Sequence, residues 1–285
     1  MTNYQGIYIN LARSSDRDIY IRSHLASLQM LECFKRFEAV DGVNVQVPSG
    51  AKINAFEMAC YDSHLQAMQE GEGKHIHIIE DDVQLSQNFR FVLQPFLDFQ
   101  DDKEWDIIFF GVNVPIAKVV YDLLLVGERG QNRFKLFDLQ PFGSLYSGCH
   151  SYIINHRSVS KITALLDENK YDLAVDLKLR NYIFEGKIKA FVTLPLLAIP
   201  LPTLFDTTIL ERVSESTMLL PREHIYLAQK LVFADTLGKH KELYTQLQQY
   251  LLEAHNLVTK QPLEDPSFEE VVAYFVQSVQ AYRKR

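Results

Sequence analysis

Apolar positions along the chain switch repeatedly between a period of two and a period near 3.6. Residues 6–11 (GIYINL), 34–40 (FKRFEAV), 75–79 (HIHII), 105–110 (WDIIFF) and 152–155 (YIIN) read as strands. The spacing between them is helical. Ile21, Leu25 and Leu28 recur after a start capped by Asp16, and Ala59, His64, Ala67 and Met68 point inward within 55–70. Phe89, Val92, Leu93 and Phe96 share one side of 87–99. Gly71 and Gly73 close the second helix, and Gly111 closes the WDIIFF strand. This alternation predicts βαβ units and an α/β fold with a mainly parallel central sheet.

Farther along, 134–139 reads as an edge strand, 157–166 and a short stretch after Lys170 ending at about 184 as helices, and 188–194 as a strand. Pro195, Pro200 and Pro202 then interrupt regular structure, and 203–217 reads as loop. Residues 222–233, 239–257 and 267–281 have amphipathic helical spacing, with Gly238 a break between the first two. The shift in composition divides the chain into residues 1–220, the α/β unit, and 221–285, a helical C-terminal subdomain.

Directly after HIHII come Glu80, Asp81 and Asp82. Carboxylates do not enter a core unpaired, which places them at the C-terminal end of the strand, where open α/β sheets bind ligands. Strand alternation would turn Glu80 and Asp82 the same way. Two converging carboxylates suit Mg²⁺ or Mn²⁺, which bind through one or two such groups plus substrate phosphate. A solvated strand end or a helix cap is the plainer alternative.

The net charge of −7 argues against nucleic-acid recognition. The cysteines Cys33, Cys60 and Cys149 are too scattered for a disulfide framework and read as core thiols of a reducing compartment. No apolar run approaches ~20 residues and no leader is evident, so a cytoplasmic protein is expected. The C-terminal helices could rest at the inner face of a membrane, helped by Arg283, Lys284 and Arg285, or close a homodimer. An ordinary solvated end also accounts for those three charges.

Other positions carry two readings each. Arg13 and Arg17 could grip a phosphate or simply begin a helix in solvent. Asp41-Gly42 is a turn, placed where Asp41 could reach a ribose or base. His64, alone on an apolar helical face, reads first as a satisfied core histidine, and His75 and His77 as flanks of an internal strand. Gly148 allows either a tight turn or the close approach of a sugar ring. Asp176, among apolar neighbours, could serve as a general base or could cap or pair. There is no nucleophile elbow, Rossmann fingerprint or P-loop.

The succession INLARSSDR, FKRFEAVDG, ACYDSHLQAM, HIHIIEDDVQLSQNF, WDIIFFG and SGCHSYIINHRSVSKI resembles the bacterial lipooligosaccharide glycosyltransferases of family 25, over about residues 5–200. These are relatives of the collagen galactosyltransferases. The resemblance implies a GT-A-like nucleotide-diphospho-sugar transferase fold with a C-terminal helical extension. It implies transfer of a hexose, galactose from UDP-galactose, to an oligosaccharide or lipooligosaccharide acceptor, with inversion.

It matches Asn10, Arg13 and Arg17 to the family's first motif at the nucleotide end of the sheet. Asp41 and Gly42 match its DG pair, and Ser63 and His64 its SH pair, which moves His64 among the candidate catalytic residues. Glu80, Asp81 and Asp82 stand for the acidic motif, with Glu80 and Asp82 holding Mn²⁺ or Mg²⁺ and Asp82 nearest the diphosphate. Asp176 becomes the candidate base, although LAVDLKL lacks the proline and tryptophan that members carry there. That departure leaves one rival, a relative that binds sugar nucleotide or glycan without turnover; the other is a structural interaction protein whose C-terminal helices pair with a partner and whose acidic triplet is only surface. Failure to hydrolyse donor would mark the first, and failure to bind any uridine nucleotide the second.

Overall fold

The computed structural model describes residues 3–71, 73–100, 104–113, 134–142, 146–201, 229–230 and 233–235. Nine strands and five helices are formed there: β1 (Tyr4–Asn10), α1 (Ser15–Ser27), β2 (Phe34–Glu38), α2 (Ala55–Gln69), β3 (His75–Glu80), β4 (Val83–Leu85), α3 (Phe89–Gln100), β5 (Ile107–Asn113), β6 (Lys135–Asp138), β7 (Ser147–Ile154), α4 (Val159–Asp167), α5 (Val175–Phe184), β8 (Ala190–Leu194) and β9 (Ala198–Pro200).

Seven strands form one sheet in the order β2-β1-β3-β7-β5-β8-β6, while β4 and β9 pair antiparallel beside it. β1 is parallel to β2 and β3, and β5 is parallel to β8. β7 runs antiparallel between β3 and β5, and β6 runs antiparallel to β8 at the edge. Hence β1, β2, β3, β5 and β8 all point one way, and the sheet is mixed only through β6 and β7. The reversed β7 brings its first residues, Ser147–Cys149, to the same edge as the last residues of β3 and β5.

The period of two sorts the strand side chains into two cores. On one face Ile7, Ile9, Ile76, Ile78, Phe109, Tyr152 and Ile154 pack with Met58, Tyr61 and Leu65 of α2 and with α4 and α5. On the other, Tyr8, Ile79, Ile108, Phe110 and Ile153 pack with Ile21 and Leu25 of α1 and with Phe89 and Leu93 of α3. Burying apolar surface at ~25 cal/mol per Å² on both faces holds the three layers together. Phe233 joins the first core, and Gln229 Nε2 donates to the Val112 carbonyl at 2.9 Å, so residues beyond 220 reach this body.

Three local readings change. Asp16 lies inside the first turn of α1, where its charge faces the helix dipole, and Ser14 occupies the cap. α2 has a capping box that fixes its start: Asn54 Oδ1 accepts from the Phe56 and Glu57 amides, and Glu57 Oε2 accepts from the Asn54 amide. Gly111 does not end β5 but lies within it, because a Cβ there would come within 2.1 Å of the Ala198 carbonyl oxygen as β9 crosses. The prolines after β8 do not abolish strand structure either, since β9 ends at Pro200. The loop at 203–217, the helices at 239–257 and 267–281, the break at Gly238 and the basic end 283–285 lie outside the described residues, as does most of 222–233. Among the described residues no helix is long and apolar enough to cross a membrane.

Candidate active site

The crevice between the C-terminal ends of β1 and β3 lies where the chain departs to β2 on one side and returns to β3 on the other, a topological switch point. β1 delivers Asn10 there, and β3 delivers Glu80 with Asp81 and Asp82 in the turn beyond it. β3 stops at Glu80, so Asp81 and Asp82 lie in the turn beyond it and strand alternation does not extend to Asp82.

Asp81 turns to β1 and α1. Its Oδ2 accepts from Asn10 Nδ2 at 2.7 Å and its Oδ1 from Arg17 NH1 at 2.9 Å. The same NH1 donates to Asp82 Oδ2 at 3.1 Å. Arg17 is thus a buried cation between two carboxylates rather than a solvated helix start. Arg36 Nε donates to Asn10 Oδ1 at 3.0 Å, which orients the amide.

Asp82 Oδ1 is buried and has no hydrogen-bond partner elsewhere among the described residues. Burial and then the neighbouring Glu80 charge push the Asp82 carboxyl up to about 7, against the pull of Arg17. Glu80 goes the other way. Burial works to raise it, but the hydrogen bond and charge of His64, with His150 and Arg17, bring it below the usual carboxylate range. A buried carboxylate oxygen with no partner, next to a second carboxylate, is of the kind that a hard divalent cation satisfies.

α2 presents His64 to Glu80, with Nε2 3.5 Å from Oε1. His64 Nδ1 bonds the Tyr152 hydroxyl at 2.9 Å, and Cys149 Sγ of β7 lies 3.6 Å from Nε2. The histidine is buried as the apolar helix face predicted, yet it is also part of the site. His75 and His77 are strand flanks: His77, which burial lowers to about 3, lies between the Tyr4 and Ser151 hydroxyls at 2.8 and 3.0 Å.

The remaining candidates on this side of the sheet have partners within the protein. Arg13 grips Asp41 through Nε and NH2 at 2.7 and 3.2 Å, and this bond holds the Asp41 carboxyl below its ordinary value. Gly42 is buried against Phe56, where no Cβ would fit. Ser63 Oγ accepts from the Val40 amide at 2.9 Å and donates to the Ala59 carbonyl at 2.7 Å, so it ties α2 to the chain leaving β2.

Across the cleft Gly148 has φ +85°, and a Cβ there would come within 2.7 Å of Asn113 Nδ2. Its amide donates to Asp176 Oδ2 at 2.8 Å, which seats the first turn of α5 beside β7. Asp176 Oδ1 has no hydrogen bond among the described residues. The negative charges of Glu80 and Asp176 both act on the Cys149 thiol, whose pKa burial already raises.

Cys149, Tyr152 and Arg36 were not read as site residues. Cys149 stands 85 residues from His64 in sequence, so no metal-type spacing could have joined them.

The sequence profile of glycosyltransferase family 25 (LPS biosynthesis protein) matches residues 4–179. No match was found among curated proteins. Among solved structures, the crystal structure of S. aureus TarS 1-349 superposes with a TM-score of 0.32 at 12% identity, covering 99% of this chain and 91% of that one. So loose a likeness assigns no residue. The profile spans more than half of the chain and takes in β1, the acidic turn and the start of α5. The chain belongs to glycosyltransferase family 25, with a GT-A-like fold and the sugar-transferring activity of that family.

Proposed function

We propose that the chain transfers a hexose, galactose from UDP-galactose, to an oligosaccharide acceptor of the lipooligosaccharide class, with inversion at the anomeric carbon. The observation that carries this reading is the meeting of two sets of groups at one sheet edge. Asn10, Arg17 and the Glu80–Asp82 turn lie on the β1–β3 side, and Asp176, anchored through Gly148, lies on the other.

The first set suits a nucleoside diphosphate. Asn10, Arg13, Arg17, Asp41, Gly42 and Ser63 shape the nucleotide end, while Glu80 and Asp82 would hold Mn²⁺ or Mg²⁺. A cation held there would supply charge neutralisation to the departing diphosphate. Asp81 keeps Arg17 and Asn10 in place. His64 steadies the Glu80 carboxylate, and Gly148 lets the sugar ring approach the backbone. On the far side Asp176 Oδ1 takes the proton of the attacking acceptor hydroxyl, as inversion requires of a base opposite the leaving group.

The direct test is thermal denaturation with UDP-galactose and Mn²⁺ together. A ligand at 100 times its Kd adds about 2.7 kcal/mol to the native state, and UDP should be released once a suitable glycan is added. Absence of stabilisation by any uridine diphosphate sugar would refute the reading.

Asp82→Asn should lower kcat by about 10²–10³-fold, the usual cost of one preorganised charge-stabilising group, while the protein stays folded. Because the native Asp82 carboxyl titrates at about 7, far above an unfolded aspartate, the wild-type native state binds the extra proton between. Its stability from this group therefore falls as pH rises through that interval. The variant should gain on the parent from about pH 4 to about pH 7 in urea titrations. Unchanged turnover would remove Asp82 from the mechanism.

A further inference from the structure

We propose that His64, Glu80 and Cys149 form a binding site for Zn²⁺, chemically distinct from the hard-cation pair Glu80 and Asp82. Among the described residues this is the group of His, Cys, Asp and Glu side chains whose ligand atoms all lie within 4.8 Å of one another. The separations are 3.5 Å for His64 Nε2 to Glu80 Oε1, 3.6 Å for Cys149 Sγ to His64 Nε2, and 3.9 Å for Sγ to Oε1. Zinc bonds of about 2.0–2.3 Å in tetrahedral array would hold N, O and S ligand atoms roughly 3.4–3.6 Å apart. The triad is thus within a few tenths of an ångström of the metal-bound geometry before any metal enters.

The donor set decides the metal. One imidazole nitrogen, one thiolate and one carboxylate oxygen suit zinc, whereas Mg²⁺ and Mn²⁺ prefer oxygen alone. His64 needs only to lose the Nε2 proton it shares with Glu80 when zinc enters. The Tyr152 hydroxyl, 2.9 Å from Nδ1, can then accept a hydrogen bond from Nδ1–H, which leaves the Nε2 lone pair for the metal, the outer-sphere arrangement usual for metal-binding histidines.

His64 and Cys149 are almost wholly buried, but the Glu80 side chain is 34% exposed, so the fourth position opens on the cleft and takes water. On binding, the Cys149 S–H bond breaks, sulfur keeps the electron pair as a thiolate ligand, and the proton goes to solvent. Zinc there withdraws Glu80 from the hard-cation pair. Zinc binding itself does not depend on the sugar-transfer reading.

The test uses the full chain without a histidine tag, titrated with ZnCl₂ by calorimetry and examined by zinc X-ray absorption. One equivalent should bind, with a single sulfur near 2.3 Å. Cys33→Ala should bind as the parent does. Cys149→Ala should lose more than the 10–100-fold that loss of an outer-sphere partner costs, and Tyr152→Phe should fall within that range. No zinc binding, or equal binding by Cys149→Ala, would overturn the proposal. Should Cys149→Ala fail to fold, the absorption spectrum of the parent decides: a shell of nitrogen and oxygen only would overturn it equally. Donor stabilisation by UDP-galactose with Mn²⁺ is measured separately, so either reading can fail without the other.

Discussion

Asp176→Asn is expected to abolish most transfer, by about 10²–10⁴-fold in kcat, while donor affinity stays within error of the parent. That range is what a positioned general base contributes. The substitution is nearly isosteric, and the asparagine side-chain oxygen can still accept from the Gly148 amide, so the bond that seats α5 against β7 survives. What is lost is the carboxylate oxygen that the Gly148 amide does not engage, the one proposed to take the acceptor proton. Single-turnover transfer with saturating UDP-galactose separates chemistry from binding. A parent-like rate would reject Asp176 as the base, and a parallel fall in donor affinity would assign it to donor binding instead. LAVDLKL carries neither the proline nor the tryptophan that the resemblance leads one to expect there. The Gly148 bond offers a different means of holding the carboxylate.

The largest expected effect on stability comes from Arg17→Ala. NH1 of this buried side chain serves Asp81 at 2.9 Å and Asp82 at 3.1 Å, with Glu80 close enough to add to the same field. Burial tends to lower the Arg17 pKa, but the Asp82 and Asp81 charges outweigh it and raise it. Truncation leaves two carboxylates in the crevice without their cation, and breaking a buried pair in this way costs about 3–5 kcal/mol.

The sign of its pH dependence follows from the carboxylates. Without Arg17 their native pKa values rise further above the unfolded ones, so the native state takes up protons that the unfolded chain does not. The deficit should be largest above pH 7 and shrink toward pH 5, as read from urea midpoints across that range. A loss under about 1 kcal/mol at pH 8, the worth of an exposed pair, would show that Arg17 does not neutralise the turn.

The period of the apolar positions located β1, β2, β3, β6, α1, α2 and the helices at Val159–Asp167 and Val175–Phe184 within a few residues. It also placed Ala59, His64, Ala67 and Met68 on the buried side of α2. Such patterns are legible because each side chain's direction is set by its own few chain neighbours. The acidic triplet was legible as the end of a strand for a related reason: three carboxylates could not continue into a core. The family resemblance named Asn10 and Arg17 in one motif and Asp81 in another; the hydrogen bonds that join them are seen only in the structure.

The sequence by itself thus determined the alternation of strands and helices, the inward faces and the carboxylates at the end of β3. Tertiary structure alone decided what those carboxylates meet. The β3 period stops at Glu80, so the two-residue rule could not orient Asp82. The insertion of β7 in reverse between β3 and β5 depends on pairings between distant segments, and it carries Cys149 to His64 and Gly148 to Asp176. Periodicity records only which face of an element is buried; the partner across the gap is set by the order of strands in the sheet.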